Sequence, residues 1–261
     1  MRGFFIPCRY ANAARAAAPG VLYPGLEGPF GEAEPRFLDL LDAIDQHAPA
    51  LLGIGEEAPP APRWRQDWFP RLDAAAAYAL ICLRAPNLLI EVGSGHSTRW
   101  FARAATEAGH PTRLIAIDPE PRATLAGLRV EIVRSTVQEA KAAPFSGLAA
   151  GDVLSIDGSH VLMPGTDVDF VLNRVLPLLP AGVLVHIHDV FLPEGYPPEW
   201  AWRGYNEQLA VAPMLHGRGY RILWSSHWVA TRMRDRLARS VAARLPLLPG
   251  AHESSLWLEK R

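Results

Sequence analysis

Two segments near the middle of the chain have the residue types and spacing of a reacting site. One is Val153-Leu-Ser-Ile-Asp157-Gly-Ser-His160; the other is Gly182-Val-Leu-Val-His186-Ile-His188-Asp189. A carboxylate three residues before an imidazole, or directly beside one, can move a proton or help hold a cation. Asp157, His160 and His188 are therefore the expected catalytic residues. A third segment, Glu91-Val-Gly93-Ser94-Gly95-His-Ser97-Thr98, suits a different task. Its glycines let the backbone turn sharply at a strand end and let a ligand approach where a Cβ would intrude. Joined to a helix N-terminus, such a turn makes a nucleotide-type pocket.

These residues need a scaffold that brings strand ends together, and the chain has the pattern of one. Short apolar runs at Leu88–Val92, Leu114–Asp118, Val130–Arg134, Val153–Asp157 and Val183–Asp189 read as parallel strands covered on both faces. Helical patterns alternate with them at Thr98–Ala108, Arg122–Leu128, Gln138–Ala143 and Asp167–Leu179. This is an α/β chain with a doubly wound, mostly parallel sheet of the Rossmann-like kind. A helix near Asn206–His216 follows, and the runs Tyr220–Ser225 and His227–Thr231 suggest an antiparallel hairpin. Asp73 reads as the cap of an alanine-rich helix reaching Arg84. His186, one pleat deeper than His188 on the same face, is expected as a buried, hydrogen-bonded core residue.

Three regions are expected: an N-terminal cap over 1–70, a central domain over 71–233, and a C-terminal helix and tail over 234–261. The cap holds a helical pattern from Glu34 to Gln46. A proline-stiffened stretch over 56–63 then leads to Trp64, Trp68 and Phe69, which either pack the extension onto the core or form a lid. Composition excludes several classes. The 261 residues carry a formal net charge of −1, so no electrostatic footprint for nucleic acid or an anionic membrane is present. Two cysteines make no disulfide framework. No apolar run approaches the roughly 20 residues of a membrane span. The expectation is a cytoplasmic protein with a small-molecule partner; a homodimer is admitted but not specified.

The glycine turn narrows the nucleotide. A dinucleotide fingerprint wants glycine at position 98, where this chain has threonine. Glu91 would repel a pyrophosphate but could orient an ammonium group or ribose hydroxyls, which favours S-adenosylmethionine (SAM) over NAD. Here the chain resembles the class I SAM-dependent methyltransferases over roughly residues 73 to 231, with seven strands and a late antiparallel hairpin. The resemblance implies SAM contacts from Glu91, Gly93, Ser94, Gly95 and Ser97. It also implies a ribose-binding carboxylate at Asp118 and an adenine contact near Thr136.

Asp157, His188 and Asp189 resemble the cation ligands of small metal-dependent O-methyltransferases of the catechol, caffeoyl and antibiotic-tailoring type. There a divalent cation binds the substrate hydroxyl and stabilises its oxyanion. His160 stands where the catechol type has a lysine base, so it would be a further ligand or take the acceptor proton. His188 in place of a carboxylate favours Mn, Fe or Zn over Mg. The aromatic, proline-rich tract Phe191 to Tyr205 should form the acceptor pocket. The function implied is methyl transfer to a small-molecule hydroxyl. The alternatives are a metal-free N- or C-methyltransferase with a histidine base, a SAM-binding protein without transferase activity, and an NAD-dependent oxidoreductase, which Glu91 and Thr98 disfavour.

Overall fold

The computed structural model describes residues 22–55, 57–140 and 143–261, so residues 1–21 of the expected cap lie outside the described residues. One sheet organises the chain. Its strands are β1 (Leu88–Val92), β2 (Arg113–Ile117), β3 (Val130–Val133), β4 (Val153–Ile156), β5 (Leu184–Ile187), β6 (Tyr220–Ser225) and β7 (Leu256–Lys260), ordered β3-β2-β1-β4-β5-β7-β6. Strands β1 to β5 are parallel, and β7 runs antiparallel between β5 and β6. Every residue of β4 and β5 is buried, as apolar runs covered on both faces must be. Strand order reverses between β1 and β4, which opens a crevice at their carboxyl ends.

The helices flanking β1 pack closely for a plain reason. Helix Arg71–Arg84 carries a buried run of four alanines, Ala74 to Ala77, so its backbone can approach helix His96–Glu107. Helix Glu34–Gln46 forms with the bounds expected from its apolar spacing and buries Phe37, Leu40, Leu41 and Ile44. It lies beside β6, with Phe37 edge-on to Trp224 and the Arg36 Nε donating to the Ile222 carbonyl. The described part of the extension therefore packs against helix Arg71–Arg84 and the antiparallel edge of the sheet, and of its residues Asp67, Trp68 and Phe69 reach the crevice.

Four expectations are corrected. No helix forms over 122–128. Gly127 within it takes a φ of +92°, and Arg99 takes the Thr124 carbonyl that a helix would use. The run His227–Thr231 lies within helix Ser226–Arg232, because the Ser225 side chain accepts the Trp228 N–H and Trp228 stacks on Phe30. The strand that pairs with β6 is instead β7, so part of the supposed tail lies inside the sheet. Finally, Asp73 sits inside the first turn of its helix, fully buried, and spends its carboxylate elsewhere.

Candidate active site

Gly93 shows why β1 must end in glycine. Its φ is +86°, and a Cβ there would stand 1.9 Å from the Asp157 carbonyl oxygen. The close approach of the β1 and β4 ends depends on that missing atom. Gly93, Ser94, Gly95, Ser97, Asp118, Thr136, Asp157, His160, His188 and Asp189 all line one cavity of about 1340 Å³ at the carboxyl edge. Ten of the eleven expected site residues thus converge.

Glu91 is the exception. It is fully buried and does not line the cavity. Ser97 and Thr98 donate their hydroxyls to its two oxygens, and Thr98 also accepts the Gly95 N–H. Burial pushes the Glu91 carboxyl up to about 8, against the pull of those two hydroxyl bonds. It braces the glycine turn from behind the cavity wall. Asp118, by contrast, faces the cavity: one oxygen accepts from Ser94 Oγ and the other from the Glu120 N–H, both at 2.8 Å.

His96, at the start of helix His96–Glu107, was not singled out by the sequence. It lines the cavity, and its Nδ1 is buried without a hydrogen-bond partner. Burial first, then Arg99 and Arg63, lower its pKa to about 4, so the imidazole is neutral. An orphaned ring nitrogen beside a helix N-terminus fits the polar amino-acid end of a SAM-type ligand.

The edge formed by β4 and β5 is different in kind. His160 Nδ1 bonds Glu207 Oε2 at 2.9 Å, while its Nε2 faces Asp157 at 3.3 Å and Asp189 at 3.5 Å. His188 Nε2 bonds Asp73 Oδ2 at 3.2 Å, while its Nδ1 faces Asp189 at 3.3 Å and Asp157 at 3.6 Å. Burial alone would depress both imidazoles, but the carboxylates override it. His160 is raised well above its usual value and His188 to about 9. Burial would raise Asp157, yet His188 and His160 hold it below the usual carboxylate range. Contact with these carboxylates therefore favours the protonated form of both histidines.

His160 and Asp189 also adopt left-handed backbone conformations, with φ +58° and +56°. Such geometry in non-glycine residues is held in place by its surroundings and concentrates at working sites. The His160 carbonyl accepts from the Asn206 and Glu207 N–H groups, and Ser254 Oγ donates to Asp189. His186 behaves as expected of a core residue. It lies between Ser155 Oγ at 2.8 Å and Ser255 Oγ at 2.9 Å, and burial lowers it to about 3.

Sequence reasoning missed Glu207 and Asp73, the carboxylates behind the two imidazoles. Asp73 left a signal: a lone acid in a helix buried on nearly all sides must have a partner. Glu207 left none. Among the described residues, no group of three or more His, Cys, Asp or Glu side chains is set to hold a metal ion.

The glycine turn, Asp118 and the β4–β5 edge all fall within residues 90–190, which match the family model described as a methyltransferase domain. Residues 90–190 are thus similar to that family. No curated protein matches the chain. Among solved structures similar to this chain is an SAH-bound methyltransferase, PaMTH1, from Podospora anserina. It is 16% identical over 84% of this chain and 88% of its own, with a TM-score of 0.46. Another is the O-methyltransferase from Bacillus cereus in complex with SAH, 11% identical over 85% and 91% of the two chains, with a TM-score of 0.44. A third is the plantazolicin methyltransferase BpumL with SAH and a desmethyl substrate analogue, 14% identical over 76% and 86%, with a TM-score of 0.45. No helix among the described residues is long and apolar enough to cross a membrane.

Proposed function

We propose that the protein transfers a methyl group from SAM to a hydroxyl of a small-molecule acceptor. The observation that carries this reading is the shared cavity: glycine turn, Asp118 and charged β4–β5 edge open onto one space. SAM supplies an electrophilic methyl on a sulfonium, whose carbon–sulfur bond breaks as the oxygen–carbon bond forms. The chain's part is to hold, orient and charge. Asp118 keeps acceptor capacity on both oxygens for ribose hydroxyls, Thr136 lines the wall beyond it, and His96 meets the amino-acid end. The imidazoliums of His160 and His188 stabilise the acceptor as its oxyanion, the form with the free electron pair. The acceptor hydroxyl hydrogen-bonds Asp157 and loses its proton to water, to which that side chain, 28% exposed, has access.

One observation favours a second reading, in which a divalent transition cation takes the place of the two imidazole protons. Each imidazole has one nitrogen held by a buried outer carboxylate, Glu207 or Asp73, the arrangement that orients metal-bound histidines. Asp157, His188 and Asp189, with His160, would hold the cation and supply an oxyanion site of the same charge. Elemental analysis of the purified protein and calorimetric titration with Mn, Fe or Zn separate the readings. Stoichiometric binding that Asp157→Ala abolishes selects the cation; no binding leaves the imidazolium pair.

The test of the main reading is calorimetry with SAM and SAH, followed by SAH formation over a panel of hydroxyl acceptors. Asp118→Ala should weaken SAH binding by about 1–3 kcal/mol, the scale of hydrogen bonds to a charged group. Tighter binding of NAD would overturn the reading. SAH binding without turnover on any acceptor would leave a SAM-binding protein instead.

A further inference from the structure

Beyond the reacting edge, the cavity wall is built by the 3₁₀ helix Pro198–Arg203 and the turn at Gly204, whose φ of +66° reverses the chain into Tyr205. The Arg203 guanidinium stands 3.9 Å from the Trp200 ring centre, 5.4 Å from that of Tyr205 and 5.6 Å from that of Trp202. Its contact with Tyr205 Oη is long, at 3.5 Å, and its Nε is buried without a hydrogen-bond partner. Among the described residues, no carboxylate lies within ion-pair distance of it. Two arginines held by the fold elsewhere are treated differently. Arg71 makes a two-pronged pair with Glu253, and Arg99 donates twice to the Thr124 carbonyl.

Resting on the methyltransferase reading, we propose that the acceptor is a planar molecule carrying an oxyanion group, carboxylate or phosphate. Arg203 is the residue that selects it. A guanidinium presents a planar fork of N–H donors that matches such a group, and the aromatic faces around it hold the fork in place. A buried N–H left unmade costs free energy, which a ligand oxygen recovers. The His160 ring faces the carboxylates of Asp157 and Asp189, whereas the Arg203 charge has no carboxylate beside it among the described residues and is left for a ligand. Distance fits as well: the Tyr205 ring lies 4.6 Å from the His160 ring and 5.4 Å from the Arg203 carbon. One benzene-sized acceptor can thus place its hydroxyl at the charged edge and its anion at Arg203. Trp202 is 82% exposed, a large apolar face that a planar ligand would cover.

The experiment uses the full chain saturated with SAH and titrates 3- and 4-hydroxybenzoate, 4-hydroxyphenyl phosphate and the uncharged methyl 4-hydroxybenzoate by calorimetry. At least one anion should bind ten-fold or more tighter than the ester. Arg203→Met should abolish that preference, and Arg203→Lys should keep part of it. Trp202→Ala should weaken anion and ester alike. With SAM present, Arg203→Met should raise KM for the anion with little change in kcat. SAH affinity should stay unchanged in all three variants, which also shows that they fold. Equal binding of anion and ester, binding of neither, or a preference surviving in Arg203→Met would overturn the proposal. Failure to bind SAH at all would instead sink the methyltransferase reading beneath it.

Discussion

The glycine turn and the β4–β5 edge are both buried, yet they hold their ionisable groups in opposite states. At the turn, Glu91 meets only hydroxyls and is pushed up to about 8, so it stays neutral. At the edge, carboxylates and imidazoles meet one another, and burial fails to discharge them. Asp157 is held low and His188 is raised to about 9. His186 makes the same point within one strand. Two residues from His188 and equally buried, it faces serines and is lowered to about 3. Burial penalises a charge, and only an opposite charge in contact reverses the outcome.

The largest way to break this contrast is to remove a counter-charge. Asp73 accepts from His188, Ser254 N–H and Ser255 N–H in full burial. Asp73→Asn should cost about 3–5 kcal/mol, the scale for leaving one partner of a buried ion pair unpaired, read by urea denaturation at pH 7. A loss below 1 kcal/mol would mean that His188 is not charged.

The next effect is a pH slope. Glu91 has a folded pKa of about 8, above its unfolded value, so the native state keeps a proton that the unfolded chain releases. Its stabilising contribution is complete at acid pH and is lost as pH rises towards 8, at most about 1.4 kcal/mol per unit. Glu91→Gln should therefore gain stability relative to the parent between pH 5 and 8. A constant difference across that range would mean that Glu91 is ionised.

His188 has the same sign in another window. Its pKa is raised to about 9, so its stabilisation is full below about 6.5 and fades as pH climbs through 9. Thermal melts of His188→Asn against the parent should converge above pH 9. On the imidazolium reading, kcat should also fall there; a rise would support the cation. The smallest effect belongs to His186→Gln, which disturbs hydrogen bonds to two serines and should cost about 1–2 kcal/mol with no pH dependence from about pH 7 to 9. Below about 6.5 that cost should shrink, because the unfolded parent binds a proton there that buried His186, lowered to about 3, does not. A slope above pH 7 would blur the distinction between the two histidines.

Much of the site was legible because local rules govern it. Period and run length marked β1 to β5, and parallel strands end on one edge, so Asp118, Asp157, His160, His188 and Asp189 had to meet. Gly93-Ser-Gly95 marked the turn through the conformations that glycine allows. The missing helix at 122–128 and the misplaced last strand were not legible. Their outcomes depend on Arg99 reaching Thr124 and on a segment about thirty residues further along pairing with β6. Chemical state was equally out of reach. Asp73 lies 115 positions from His188, and Glu207 lies 47 from His160. The sequence by itself determined which groups stand at the sheet's edge, because strand periodicity and glycine turns are local. Only the tertiary structure decided which of those groups carry charge, because ionisation in a buried place depends on what the fold brings into contact.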